Sequence, residues 1–151
     1  NYHGVLLVIA LDCIGGCGWQ HVNRTRAGGP ERIVEHQAKF HKMLKRAQRI
    51  AQAADAQGGS IWFELGNSDS YWQDPAVIRF CERYDLNPVR IDGCRFGLCG
   101  KHALIKKPWK IMTNNPDVYL ALSDGRCTGG HAHEICDNSA VTSKTQKSGA
   151  T

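Results

Sequence analysis

Cysteine and histidine side chains are concentrated in one short segment near the end of this 151-residue chain. Within ten residues the segment offers four candidate metal ligands, Cys127, His131, His133 and Cys136. Zinc prefers thiolates and imidazole nitrogens in a tetrahedron, and histidines two apart in an extended stretch point to the same side. Cys94 or Cys99, from an earlier loop, could complete such a site. The alternative is a surface loop with exposed histidines and a Cys127–Cys136 disulfide.

A second cluster follows the first apolar run, where the sequence reads Asp12-Cys13-Ile14-Gly15-Gly16-Cys17-Gly18. A cysteine just past a central strand is placed to act as a nucleophile. A glycine-rich turn from strand to helix can also bind phosphate, although this turn matches neither the dinucleotide fingerprint nor the P-loop pattern. The alternative is a tight turn with two buried thiols.

Three carboxylates, Asp12, Glu64 and Asp92, each fall at the end of an expected strand. Converging carboxylates bind Mg²⁺ in nucleases of the ribonuclease-H type. That fold opens with an antiparallel meander, which we do not find at the start of this sequence. The carboxylates are therefore an alternative to Cys13 as the reacting groups.

Basic residues point to an acidic partner such as nucleic acid. The formal net charge is +5, and a stripe on one face of the expected long helix consists of Lys39, Lys42, Arg46 and Arg49. Such a stripe can contact phosphates, or it can be an ordinary solvated face. Lys107 and Trp109 form a second candidate, because a basic residue beside an aromatic ring can bind a backbone and stack on a base. Alternatively, Trp109 begins a buried strand.

The elements that must position these residues alternate along the chain. Apolar runs indicate strands at 4–11, 60–65, 89–92 and 109–113, and helical spacing indicates helices at 30–57, 74–85 and 116–122. This order predicts an α/β fold in which helices flank a mostly parallel sheet, like half of a Rossmann fold, followed by a Cys/His-rich C-terminal loop. Chemistry in such sheets belongs at the carboxyl ends of the strands. Cys81, inside the second helix, is expected to be a core residue.

The length predicts one domain over residues 1–136, followed by a flexible polar tail at 137–151. The longest apolar run, residues 5–11, is far shorter than the roughly 18–20 residues needed to span a bilayer. We find no basic segment before that run and therefore expect no signal peptide. The sequence does not indicate a cellular compartment.

Several motifs together resemble an uncharacterised domain in retroelement-type polyproteins of dinoflagellates and some marine invertebrates. They cover residues 5–135 and read Cys13…Trp19-Gln20-x-x-Asn23, Phe63-Glu64…Trp72, Asp92-Gly93-Cys94-x-Phe96-Gly97-Leu98, Lys107-Pro108-Trp109-Lys110-Ile111-x-Thr113 and Cys127-x-Gly-Gly-His131-x-His133. That domain is in turn distantly similar to DNA cytosine-5 methyltransferases. The resemblance implies that Cys13 is the nucleophile and that Glu64 holds the flipped base.

This sequence departs from the family pattern at the implied active site. Asp12 replaces the proline before the cysteine, and a neighbouring carboxylate raises the pKa of a thiol. Gly16 stands where the family has tryptophan, and Leu65-Gly66 stands where it has Trp-Pro. No separate glycine-rich strand is present for S-adenosylmethionine, so binding of that cofactor is not expected. The residues that resemble metal ligands are all retained.

The sequence thus predicts a retroelement-derived, methyltransferase-like domain that binds zinc, is catalytically degenerate, and serves as a scaffold or a nucleic-acid-binding module. The expected zinc ligands are Cys94, Cys127, His131 and His133, with Cys136 as a substitute. One alternative is a non-catalytic structural subunit of a larger protein assembly. Another is an active nucleic-acid-modifying enzyme that uses Cys13 and Glu64.

Overall fold

Four strands form the main sheet of the computed structural model, which describes residues 4–135. In chain order the strands are β1 (Leu6–Ala10), β2 (Ser60–Gly66), β3 (Asn87–Asp92), β4 (Leu104–Ile105), β5 (Pro108–Thr113) and β6 (His133–Glu134). The main sheet has the order β1-β2-β5-β3, and β4 pairs separately with β6. The helices are α1 (Gln20–Asn23), α2 (Gly29–Asp55), α3 (Pro75–Arg83) and α4 (Pro116–Leu122), and Ser70–Gln73 and Gly93–Phe96 form 3₁₀ turns.

The expectation of a mostly parallel sheet is wrong. Strand β1 is parallel to β2, but β5 is antiparallel to both β2 and β3. The reason lies between β3 and β5, where the chain makes a 3₁₀ turn and the short strand β4 instead of a crossover helix. Without such a crossover, the chain returns in the opposite direction and enters the sheet between β2 and β3.

One consequence of the expected topology nevertheless holds. Because β5 is antiparallel to both of its neighbours, β1, β2 and β3 all run in the same direction. Their carboxyl ends therefore share one end of the sheet. Cys13 follows β1 and Cys94 follows β3 at that end, while Glu64 lies within β2.

The main core lies between the sheet and α2 with α3. Helix α2 begins after Gly28, whose φ of 69° suits glycine, and Pro30 occupies its first turn. Its apolar side is buried, as the spacing predicts, at Ile33, Phe40, Leu44, Ala47 and Ala51. All of these except Ile33 join the core cluster that contains the buried residues of β2, which are Ile61, Phe63 and Leu65.

The opposite face of the sheet is only partly covered. Helix α4 packs on β3 and β5, where Val89 and Ile111 are buried. Alternate residues of a strand point to opposite faces, so Leu6 and Val8 of β1 lie on this second face, and both are exposed. None of the helices within residues 4–135 has the length and apolar character needed to cross a bilayer.

Candidate metal centre

Two segments far apart in sequence bring together Cys94, Cys127, His131 and His133. Cys94 lies in the 3₁₀ turn that follows β3, and it is buried. Cys127 and His131 lie in the loop after α4, and His133 begins β6. One candidate ligand atom from each residue lies within 4.8 Å of those from the other three. The side chains selected from the sequence therefore meet at one point, where they could hold a metal ion.

The spacing within the cluster fits a tetrahedral ion. The Sγ atom of Cys127 lies 3.6 Å from Nε2 of His131 and 3.5 Å from Nε2 of His133. Zinc–sulfur distances of about 2.3 Å and zinc–nitrogen distances of about 2.0–2.1 Å place such atoms roughly 3.5–3.6 Å apart in a tetrahedron. Cys94 and Cys127 are both free thiols. Cys136, the expected substitute ligand, lies outside the described residues, as does its alternative disulfide with Cys127.

Two glycines let the loop turn back on Cys127. Gly129 and Gly130 have φ values of 84° and 81°, which L-residues with a side chain rarely adopt. The backbone N–H of Gly129 also donates to Sγ of Cys127 at 3.4 Å. The turn therefore places His131 and also contacts the Cys127 side chain directly.

Asp92 fastens the ligand loop to the end of β3. Its buried carboxylate accepts hydrogen bonds from the backbone N–H of Cys127, at 2.8 Å, and from Nε of Arg126, at 3.3 Å. Its own backbone N–H donates to the carbonyl of Gly125 at 2.9 Å. The sequence indicated Asp92 only as a possible magnesium ligand, whereas the structure gives it a role in positioning Cys127.

Glu134 holds β6 beside β4, and thereby the neighbouring ligand His133. Its Oε2 atom accepts hydrogen bonds from the backbone N–H groups of His102, at 2.8 Å, and Ala103, at 3.1 Å. These bonds lower the pKa of Glu134, because they stabilise its charged form. Position 134 carried no signal in the sequence, since a two-residue strand is too short to show a period.

The expected catalytic pair, Cys13 and Glu64, have different neighbouring side chains. Burial and the carboxylate of Asp69 raise the pKa of Cys13. Glu64 is on the second face of the sheet, where its Oε2 accepts a hydrogen bond from Nε1 of Trp62 at 2.7 Å. Among the nearby carboxylates, Asp69 therefore raises the pKa of the Cys13 thiol more than the adjacent Asp12 does. It lies in the loop after β2, and no sequence pattern pointed to it.

The glycine turn after Cys13 is used for packing. The backbone N–H groups of Gly16 and Cys17 both donate to the carbonyl of Cys13, at 2.9 and 3.0 Å. A Cβ atom on Gly15 or Gly16 would collide with Tyr71 or Asp69. Because those amides are already paired, this geometry favours the tight-turn interpretation over a phosphate site.

The basic stripe is exposed along α2, as Lys39, Lys42, Arg46 and Arg49 all lie on its solvent side. Lys39 is 3.8 Å from the carboxylate of Asp12, an exposed ion pair that contributes little stability. At the second candidate nucleic-acid site, Lys107 Nζ lies 4.8 Å from the ring centre of the half-buried Trp109. That ring face is already occupied, so stacking a base there would require Lys107 to move.

The remaining candidates also have identifiable neighbours. Asp12, Glu64 and Asp92 do not form a metal-binding group within the part of the chain that the structure describes. Cys81 packs at the margin of the main core, where burial raises its pKa to about 11. It also lines a cavity of about 430 Å³ together with Trp72 and Lys110.

The Cys/His cluster is thus the site whose geometry best matches a known chemistry. Comparison of the chain with known proteins found no matching family model, no matching curated protein and no matching solved structure.

Proposed function

We propose that this chain is a zinc-stabilised scaffold domain. The observation that carries the proposal is the convergence of two cysteines and two histidines within 4.8 Å. Four protein ligands fill a tetrahedral zinc ion, whereas catalytic zinc sites keep a position open for water or substrate. The donor set therefore favours a structural metal, which would cross-link the end of β3 to the loop after α4 and to β6.

The surroundings of Cys13 support a role without catalysis. A nucleophilic cysteine needs a lowered pKa, but burial and Asp69 raise the pKa of Cys13. Its expected partner Glu64 instead contacts Trp62. The similarity to methyltransferase-like retroelement domains would then concern the scaffold and not the methyl transfer. An active enzyme that uses Cys13 and Glu64 remains the alternative that the geometry favours least.

Nucleic-acid binding is a second candidate, and the observation that favours it is the exposed basic stripe on α2. Four cationic side chains follow one side of a 27-residue helix. They could contact successive phosphates, because affinity for nucleic acid depends mainly on such contacts.

The metal content of the purified protein tests the primary proposal. We expect one zinc per chain, and we expect a chelator to remove it and to lower the melting temperature. Cys127→Ser should abolish stoichiometric zinc, whereas Cys99→Ser, which changes an exposed cysteine outside the cluster, should retain it. A wild-type protein that binds no zinc under reducing conditions, or zinc retention by Cys127→Ser equal to that of Cys99→Ser, would overturn the proposal.

A further inference from the structure

Strand β1 forms an edge of the main sheet that nothing covers within residues 4–135. It pairs with β2 alone. The carbonyl of Val5 accepts a hydrogen bond from the N–H of Ser60, so the odd-numbered residues of this strand direct their backbone groups toward β2. The N–H and C=O groups of Leu6, Val8 and Ala10 consequently face outward, where they can pair with another strand.

The two edges of the sheet differ in their protection. Strand β3, at the opposite edge, carries Pro88, which has no N–H to offer, and the exposed Arg90. Proline and charged residues are common means of blocking unwanted strand pairing. Strand β1 has the sequence Leu-Leu-Val-Ile-Ala, with neither. The unprotected edge is therefore chemically suited to strand addition.

Beside this edge, α2 and β1 form an open apolar groove of about 290 Å³. Its lining includes Leu7 from the strand and Met43 and Ile50 from the helix. Ile50 is 57% exposed in this groove, and Val8, on the second face of the same strand, is 56% exposed. A groove between an edge strand and a helix can bind an extended peptide, because the strand supplies hydrogen bonds and the groove receives alternate side chains.

The charge beside the groove indicates what kind of peptide would fit. Arg46 lines the groove, and Lys39, Lys42 and Arg49 continue the basic stripe along the same side of α2. We propose that the groove between β1 and α2 docks an extended acidic segment of a partner protein, which adds to the sheet as a further strand beside β1. Because the side chains of an added strand alternate between the two faces of the sheet, its acidic side chains would face the stripe on α2, and its apolar ones would cover Val8 on the second face.

Charge also argues against a second copy of this chain as the occupant. A two-fold axis that paired two β1 strands antiparallel would place both α2 helices on the same side of the joined sheet. The two basic stripes would then approach each other and repel. A nucleic acid would satisfy the stripe, but it would leave the exposed Val8 and the outward backbone groups of β1 unused. The acidic strand uses all three features, and the site is independent of the metal cluster, which adjoins the opposite edge.

A labelled synthetic peptide that alternates glutamate and valine tests this inference by fluorescence anisotropy. We expect the full chain to bind this peptide saturably and not to bind a matched peptide that alternates lysine and valine. Val8→Pro removes an outward N–H without breaking the pairing of β1 with β2, and it should weaken binding at least tenfold. Arg46→Glu should do the same, whereas Lys45→Glu, an equal charge change on the same helix outside the groove, should have less than a twofold effect.

A second version of the peptide tests strand pairing on wild-type protein, and this test holds even if the Val8→Pro variant misfolds. N-methylation of alternate backbone nitrogens blocks strand pairing but leaves the peptide charge unchanged, so we expect the methylated peptide not to bind wild-type protein. Equal affinity for both peptides would overturn strand addition. Failure of the unmodified peptide to bind would also overturn the proposal, whether or not duplex DNA binds through Arg46.

Discussion

The carboxylate of Asp92 accepts a hydrogen bond from the backbone N–H of Cys127 at 2.8 Å, across 35 residues of sequence. Asp92 is the last residue of β3, so this bond ties the main sheet to the segment 127–133, which carries three of the four candidate ligands. Cys94 follows Asp92 by only two residues. One buried side chain therefore sets the distance between the two halves of the cluster.

Replacement of Asp92 should weaken zinc binding, although Asp92 is not itself one of the candidate ligands. Asp92→Ala removes the acceptor for Cys127 and Arg126, and loss of a group that orients a ligand typically reduces metal affinity about 10–100-fold. Competition with a chelator of known affinity measures the change. Asp92→Asn keeps an oxygen that can accept from Cys127 and should restore much of the affinity.

Asp124→Ala is the matched control for this prediction, because Asp124 is an exposed aspartate close to the same loop. It should leave zinc affinity within about twofold of wild type. If Asp92→Ala lowers the melting temperature of both metal-free and metal-bound protein but leaves the zinc affinity unchanged, Asp92 supports only the fold and does not position the metal ligands.

The turn at Gly130 should also be sensitive, since its φ of 81° is unfavourable for alanine. A left-handed conformation costs an L-residue about 1–2 kcal/mol, and Gly130→Ala can avoid that cost only by moving His131. We expect a loss of about tenfold in zinc affinity. Gly18→Ala, where φ is not positive and no atom lies within 4 Å of the added Cβ, should bind zinc normally. Equal affinities for the two variants would mean that the turn does not hold His131 in place.

Periodicity predicted the longer elements well, because each carries a full apolar pattern. The buried positions of α2 recur at helical spacing, and the apolar runs that form β1 and β2 lie within two residues of the expected limits. The direction of β5 could not be read in the same way. A run such as Trp109-Lys110-Ile111 indicates a strand, but its partners depend on where the chain turns after Asp92, which is a tertiary property.

The metal cluster was accessible from sequence because thiols and imidazoles are rare side chains with specific chemistry. Cys127, His131 and His133 lie close together in the chain, so their types and spacing pointed to one site. The hydrogen bonds that support the cluster could not be predicted from the sequence. Asp92 and Glu134 are ordinary carboxylates, and their roles arise only from the backbone amides that they face in the fold. Asp69 likewise reaches Cys13 through a fold-dependent contact that leaves no spacing pattern.

Nucleic-acid binding through the basic stripe predicts a specific dependence on salt. Each phosphate contact contributes a slope of about −0.9 to the logarithm of affinity against the logarithm of salt concentration for duplex DNA. Lys42→Gln combined with Arg49→Gln should therefore reduce the slope by about two. Gel-shift titrations at several salt concentrations would measure it. Arg79→Gln with Lys101→Gln, which removes two exposed charges elsewhere, should leave the slope unchanged.

An equal loss of slope in both double variants would indicate a general effect of net charge and not contact with the stripe. Val8→Pro serves as a further control, since it changes only the apolar edge of β1. It should leave DNA affinity intact while it reduces binding of the acidic peptide. A parallel loss of both affinities would instead point to damage to the fold.

The reactivity of Cys13 tests whether this chain retains a catalytic thiol. Burial and the nearby carboxylate of Asp69 raise its pKa, so at neutral pH the group is a protonated thiol, and only the thiolate reacts with iodoacetamide. We expect alkylation of Cys13, followed by peptide mass spectrometry across a pH series, to be slower than that of glutathione and to keep increasing beyond the pH at which alkylation of glutathione levels off. Asp69→Asn removes the neighbouring negative charge and should shift the profile to lower pH, whereas Asp124→Asn should not. Rapid alkylation of wild-type Cys13 at pH 6 would show an activated thiolate, and it would favour an enzyme over a scaffold.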